Sequence, residues 1–240
     1  MVNERKSSNN VFSSLSEKYL QDKMSICVFD LNKKILLDFP NNYIFFNYLI
    51  EFMMNIKVPY LYSKVESLEN RKNQEYINDE LYSFLNKYNL DEGSSEHFIF
   101  DNIRHAFINY KKGGVLRMYQ GREAEVWYPK VIINKYMGIK EDIDKLENEI
   151  IIYRGTSKDE FNSNKFGQSW SIDKNIACDF AFKHYENQID YKNTKRVLLK
   201  SKIQKEFVYY YSENGREKEI IIDSKKIVLH TTEILEERIL

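Results

Sequence analysis

The stretch Glu149-Ile150-Ile151-Ile152-Tyr153-Arg154-Gly155 is where the hydrophobic period of this chain changes. Four apolar residues in succession, three of them β-branched, read as a buried strand that delivers an arginine and a glycine at its end. Strand-like runs follow at Gln168-Ser169-Trp170-Ser171-Ile172, at Val197-Leu198-Leu199, and over 207–211, 219–222 and 227–230. Between the second and third runs, Asp173 suits the cap of a helix that gathers Ile176, Ala177, Phe180, Ala181 and Tyr185 on one face.

Upstream of Glu149 the period is helical. Asn41-Asn42 can cap a helix carrying Ile44, Phe45, Tyr48, Leu49, Phe52 and Met53 at 3.6-residue spacing, with Pro59 to stop it. Leu81, Phe84, Leu85 and Tyr88 repeat the stripe over 78–88, and Phe98, Ile99, Ile103, Phe107 and Tyr110 repeat it over 97–110. Gly113-Gly114 breaks the period, and a further helical segment over 115–128 ends at Pro129. The expected fold class is α+β: a polar tail over 1–10, a helical layer over 11–148 whose last residues form a charged connector, and a β core over 149–240. The helices and the core are expected to pack as one compact domain.

Composition bounds the function. With 240 residues, 42% hydrophobic and 30% charged, the chain has the make-up of a globular protein with a sizeable core. Lys plus Arg and Asp plus Glu are 36 each, so no net field draws the molecule toward nucleic acid or an anionic membrane. The apolar stretch 43–56 is interrupted by Asn47 and Glu51 and falls short of the about 20 residues that span a bilayer, so a buried helix is expected there and no membrane partner. The first residues lack an apolar segment of the secretory kind, which predicts residence in a cytoplasm, or delivery into a host cytoplasm without such a signal. Cys27 and Cys178, far apart and in apolar company, read as buried free thiols. His97, His105, His184 and His230 have no ligand spacing, so no metal is expected. Lys111, Lys112, Arg117 and Arg122, interleaved with Tyr110 and Tyr119, read either as a solvated helix rim or as a shallow surface for nucleic acid or substrate.

Three segments of the β half ask for more than packing. Arg154 closes a buried run, where an unpartnered guanidinium is costly. Capture of a phosphate from a strand end meets that requirement, with Gly155 letting the backbone approach a flat ligand; so does pairing with a structural carboxylate. In Ser169-Trp170-Ser171, alternation sends both hydroxyls to one face and Trp170 to the core. In Glu217-Lys218-Glu219, extended backbone would place two carboxylates about 7 Å apart on one face, an arrangement suited to a cationic or electrophilic ligand. Glu123-Ala124-Glu125 has the same spelling, but on a helix its carboxylates diverge by about 200°.

In this order and spacing the three segments resemble the mono-ADP-ribosyltransferases of the Arg–Ser–Glu, cholera-toxin-like type. Their signatures are an arginine on the first core strand, Ser-x-Ser on the second and Glu-x-Glu after a turn-rich loop. Arg154, Ser169 with Ser171, and Glu217 with Glu219 match these in turn, over about residues 149–231. The departure is Trp170, where many relatives carry Thr or a smaller residue.

The resemblance implies a two-sheet β core of the ADP-ribosyltransferase type behind the helical layer, and NAD+ as co-substrate. It implies Glu219 as the catalytic carboxylate under the nicotinamide ribose, with Ser169 and Ser171 orienting it. Arg154 would then hold a phosphate, the Gly155 backbone the carboxamide, and Glu217 the acceptor, with Tyr209, Tyr210 and Tyr211 near enough to stack on it. A glutamate at 217 goes with arginine side chains of a target protein as acceptor; a base in RNA or DNA is the alternative, and a catalytically silent protein-binding module a second one. Small relatives are often toxins, phage-defence effectors or phage modifiers of the host, for which a neutralising antitoxin would be a partner.

Overall fold

The computed structural model describes residues 10–39, 43–57, 68–88, 90–121, 127–137, 140–186, 188 and 191–240. The chain forms two compact units, Met1–Ile132 and Ile133–Leu240. The division falls earlier than the 148/149 boundary expected from the change of period. Gln168 supplies one reason: its side-chain amide donates to Ile133 O at 2.6 Å and its Oε1 accepts from Ile133 N at 2.9 Å, which ties the segment from 133 onward to the β half.

The first unit is helical, with α1 (Ser14–Lys18) running into a π-helical turn over Tyr19–Lys23, then α2 (Val28–Asp38), α3 (Ile44–Asn55), α4 (Leu68–Asn86) and α5 (Ser95–Gln120). Ser13 and Ser94 cap α1 and α5 by accepting from Ser16 N and His97 N. The core stripe of α3 is rotated from the one expected. Phe45, Phe46, Leu49, Ile50 and Met53 are buried, whereas Ile44 and Tyr48 are exposed. Apolar residues nearly surround this helix, so periodicity alone does not fix which arc faces inward. The expected cap at Asn41-Asn42 and the stop at Pro59 lie outside the described residues, as do Arg122 and the Glu123-Ala124-Glu125 sequence. The Gly113-Gly114 break is a kink inside α5, where Gly114 adopts φ 72° and ψ −160°, a backbone region open essentially to glycine. Beside it Lys111 donates to Ile56 O at 3.2 Å and Lys112 to Gln74 Oε1 at 3.1 Å, so these two lysines are tied into the helical unit.

The second unit begins with α6 (Lys140–Asp144), followed by β1 (Glu149–Ser157), α7 (Lys158–Ser163), β2 (Ser169–Ser171), α8 (Lys174–Phe182), β3 (Lys195–Gln204), β4 (Val208–Tyr211), β5 (Glu219–Ile222) and β6 (Glu233–Ile239). Mixed helix and sheet agree with the α+β class. The strands pair antiparallel in one six-stranded sheet of order β4-β5-β2-β1-β3-β6, which replaces the two separate sheets expected. The three-residue β2 is the join: its register with β5 runs over all three residues, and with β1 it is the single pair Tyr153↔Ser171. A join that short leaves each three-stranded half its own shape within one hydrogen-bonded ladder.

One face of this sheet carries the larger core, in which Ile152, Trp170, Val197, Leu199, Val208, Tyr211, Ile220 and Ile222 pack together. Trp170 is 2% exposed, as the alternation of Ser169-Trp170-Ser171 requires. The other face carries α8, whose Ala177, Ala181 and Phe182 cluster with Leu198. Asp173 caps α8 as expected, accepting from Asn175 N and Ile176 N. The run 227–230, expected as a strand, forms none and ends in a 3₁₀ turn over Leu229–Thr231, and the last strand is β6 instead. β6 is the edge beyond β3, and its Glu233, Glu236, Glu237 and Arg238 suit a solvated edge while hiding it from a hydrophobic period. Cys27 and Cys178 are unpaired and half-buried rather than fully buried. No described helix is long and apolar enough to cross a membrane.

Candidate active site

β2 and β5 set the floor of the site. Ser169 lies opposite Ile221 and Ser171 opposite Glu219, while Tyr210 on β4 lies opposite Ile221 and Tyr153 on β1 opposite Ser171. Residues paired across a ladder share a face. Two rows therefore run across the sheet on the face away from Trp170: Tyr210, Ile221 and Ser169, then Glu219, Ser171 and Tyr153. Ser169 and Glu219 are diagonal neighbours, and the Ser169 hydroxyl donates to Glu219 Oε1 at 2.6 Å. That contact joins the expected catalytic carboxylate to the expected serine.

Arg154 reaches the same place from the other side. It pairs with Leu199 of the larger core, so its side chain starts on the face opposite Tyr153 and Glu219. Its guanidinium spans the gap beside the short β1–β2 join and donates through Nη1 to the carbonyl of Ser169. Nε donates to Glu160 Oε1 at 2.7 Å and Nη2 to Glu160 Oε2 at 3.0 Å, a bidentate pair that is largely buried. The carboxylate partner is thus one that Arg154 has, and gripping a phosphate would require the guanidinium to share or leave Glu160.

Glu160 lies outside the three segments of the resemblance, although Ser157-Lys158-Asp159-Glu160 has the form of a helix start. Ser157 Oγ indeed caps α7 by accepting from Glu160 N at 3.1 Å. Glu160 Oε1 also accepts from Gly167 N at 3.1 Å. Burial would push this carboxyl up; the Arg154 guanidinium, with hydrogen bonds from Gly167 and Thr156, outweighs burial and holds it below the ordinary carboxylate range.

Other expected site residues take different roles. A Cβ on Gly155 would lie 2.2 Å from Ala181 N and 2.4 Å from Ala177 O, so the space its missing side chain leaves is filled by α8. Ser171 is 6% exposed, and its hydroxyl donates to Glu217 O at 3.0 Å and accepts from Asp173 N at 3.0 Å, joining the loop before β5 to the cap of α8. Tyr211 is also 6% exposed and belongs to the core, so of the two tyrosines expected to meet the acceptor Tyr210 is the one that shares a face with Ser169 and Glu219.

Glu217 departs most from expectation. Lys218 has φ 47°, a left-handed conformation, so β5 starts only at Glu219 and the two glutamates do not alternate along one strand. Glu217 instead lines a hollow of about 310 Å³ with Arg216 and the outer face of α8, where Asp179, Phe180 and Lys183 lie. A second hollow, of about 550 Å³, opens at the start of α8 between Tyr153, Lys174 and Lys218. The loop that carries Glu217 is braced at its other end by a Lys145–Glu213 ion pair to the residue following α6.

Among the described residues no group of three or more His, Cys, Asp or Glu side chains is placed to hold a metal ion. No protein-family model, no curated protein and no solved structure matches this chain.

Proposed function

We propose that this chain is an NAD-dependent mono-ADP-ribosyltransferase. The observation that carries the reading is the 2.6 Å contact between Ser169 and Glu219, in a chain order of Arg154, then Ser169, then Glu219, with Arg154 bonded to the carbonyl of that same serine. The reaction breaks the bond between C1′ of ribose and the nicotinamide nitrogen. Nicotinamide leaves with the bonding pair, and positive charge develops on the sugar. A fixed carboxylate beneath that sugar stabilises the charge, as in glycoside cleavage.

In this reading Glu219 is that carboxylate, and Ser169 fixes the rotamer from which it acts. Arg154 holds the β2 strand through Ser169 O and so supports the site from behind the sheet. Tyr210, on the same face, offers a ring to the acceptor or to a base. Glu217, across the left-handed turn, meets the acceptor nitrogen, orients it and receives the proton it loses on attacking C1′. A guanidinium is the acceptor that a carboxylate in this place serves best. Nicotinamide release from NAD+ by the purified protein, lost in Glu219→Ala, tests the reading; labelled protein rather than labelled RNA from a lysate given tagged NAD+ tests the acceptor. Absence of release from the wild-type protein would leave a folded binding module.

A further inference from the structure

We propose that Glu160 is a positioning residue for this site: its carboxylate holds the Arg154 guanidinium against the Ser169 carbonyl, and through β2 it sets the contact between Ser169 and Glu219. The inference rests on the reading just given. It names a residue on α7, remote in sequence from the Ser-x-Ser and Glu-x-Glu segments.

A continuous run of contacts links Glu160 to Glu219. α7 is started by the Ser157 cap, which fixes Glu160 at the third helical position, facing β1. Both carboxylate oxygens are used on Arg154, at 2.7 and 3.0 Å, and Oε1 also takes the Gly167 N–H two residues before Ser169. Glu160 therefore holds the approach to β2 directly at Gly167, and β2 itself through Arg154 at Ser169. Gly167 lies so close that a Cβ there would stand 2.4 Å from Arg154 Nη2. β2 has three residues and one register pair with β1, so its own ladder is a weak anchor. The ion pair supplies the missing constraint at the serine that orients Glu219.

A second consequence follows from charge. Glu160 compensates Arg154, so an isosteric Glu160→Gln substitution leaves the guanidinium behind the sheet without the anion that holds it against the Ser169 carbonyl. Nicotinamide release should then lose at least about tenfold in kcat, while KM for NAD+ does not rise, because the orientation of Glu219 is lost and no group that contacts NAD+ is removed. A purely structural role would lower thermal stability and the folded fraction but leave kcat per folded molecule unchanged.

The test combines two measurements on the full chain. Carboxyl ¹³C resonances of labelled glutamate, with Glu219 assigned through Glu219→Gln, report the environment of Glu219 without requiring activity. In Glu160→Gln the Glu219 resonance is expected to shift, and combining Glu160→Gln with Arg154→Lys should cost no more in kcat than the worse single change. Glu160→Asp, which keeps the charge, should recover part of the rate. An unmoved Glu219 resonance overturns the proposal, as does a folded Glu160→Gln protein with kcat within twofold of wild type. If the wild-type protein releases no nicotinamide, the transferase reading fails, and the resonance alone decides whether Glu160 positions Glu219.

Discussion

Ser169 and Glu219 meet diagonally across β2 and β5, with the serine hydroxyl donating to Glu219 Oε1 at 2.6 Å, on the sheet face opposite Trp170. Glu219 is half-buried. Replacing Glu219 by Ala is expected to lower the rate of nicotinamide release by about 10²–10⁴, or roughly 3–5 kcal/mol, with little change in the melting temperature. Ser169→Ala removes one hydrogen bond to a charged group and should cost less, about 10–100-fold. Steady-state rates with thermal melts of the same preparations check both, and near wild-type release by Glu219→Ala would remove it from the chemistry.

Glu217 stands apart from Glu219 because Lys218 is left-handed, and it opens beside α8. Glu217→Gln should therefore impair transfer to the acceptor while NAD+ hydrolysis continues. Equal loss of both activities would place Glu217 within the NAD+ site instead.

Gly155 is a packing residue here. A methyl group at that position meets α8 backbone atoms 2.2 and 2.4 Å away, and backbone cannot swing aside as a flexible side chain can. Gly155→Ala should destabilise the second unit by about 1–3 kcal/mol, through displacement of α8. Urea denaturation measures this, and an unchanged midpoint would mean that α8 accommodates the methyl.

Ser171→Ala tests the division of labour between the two serines. Its hydroxyl is buried between Glu217 O and Asp173 N, so its loss leaves the Asp173 donor unsatisfied and should cost about 1–3 kcal/mol of stability. Nicotinamide release per folded molecule should change less than in Ser169→Ala. A larger catalytic loss than in Ser169→Ala would return Ser171 to the NAD+ site.

Acid should weaken the Glu160–Arg154 pair. The folded carboxyl titrates below its ordinary value of about 4.3, so its contribution to stability is present above that pH and is lost as pH falls through the folded value. Arg196, a charged group that interacts with both partners, stays protonated throughout this window. The stability difference between wild type and Glu160→Gln should be constant near neutrality and shrink toward zero below that point. A difference that persists at the acid end would show that the pair contributes through packing rather than charge.

Local chemistry was legible in the residues themselves. Alternation placed Trp170 in the core and the two serines on the opposite face, the Asp173 cap and the glycine break in α5 stand where side-chain and backbone preferences put them, and five of the strand-like runs became strands, two of them, β1 and β3, longer than the runs. Three-dimensional packing decided the rest. The left-handed Lys218 separates two glutamates that extended spacing would align, the α8 backbone fills the space beside Gly155, and the single join at β2 makes one sheet of two halves. Edge strand β6 escaped notice because a solvated edge needs charge more than periodicity. The partner of Arg154 could not be read from spacing, because which buried carboxylate meets a buried guanidinium depends on where α7 folds back, a matter of contact between distant segments rather than of any residue's own preference.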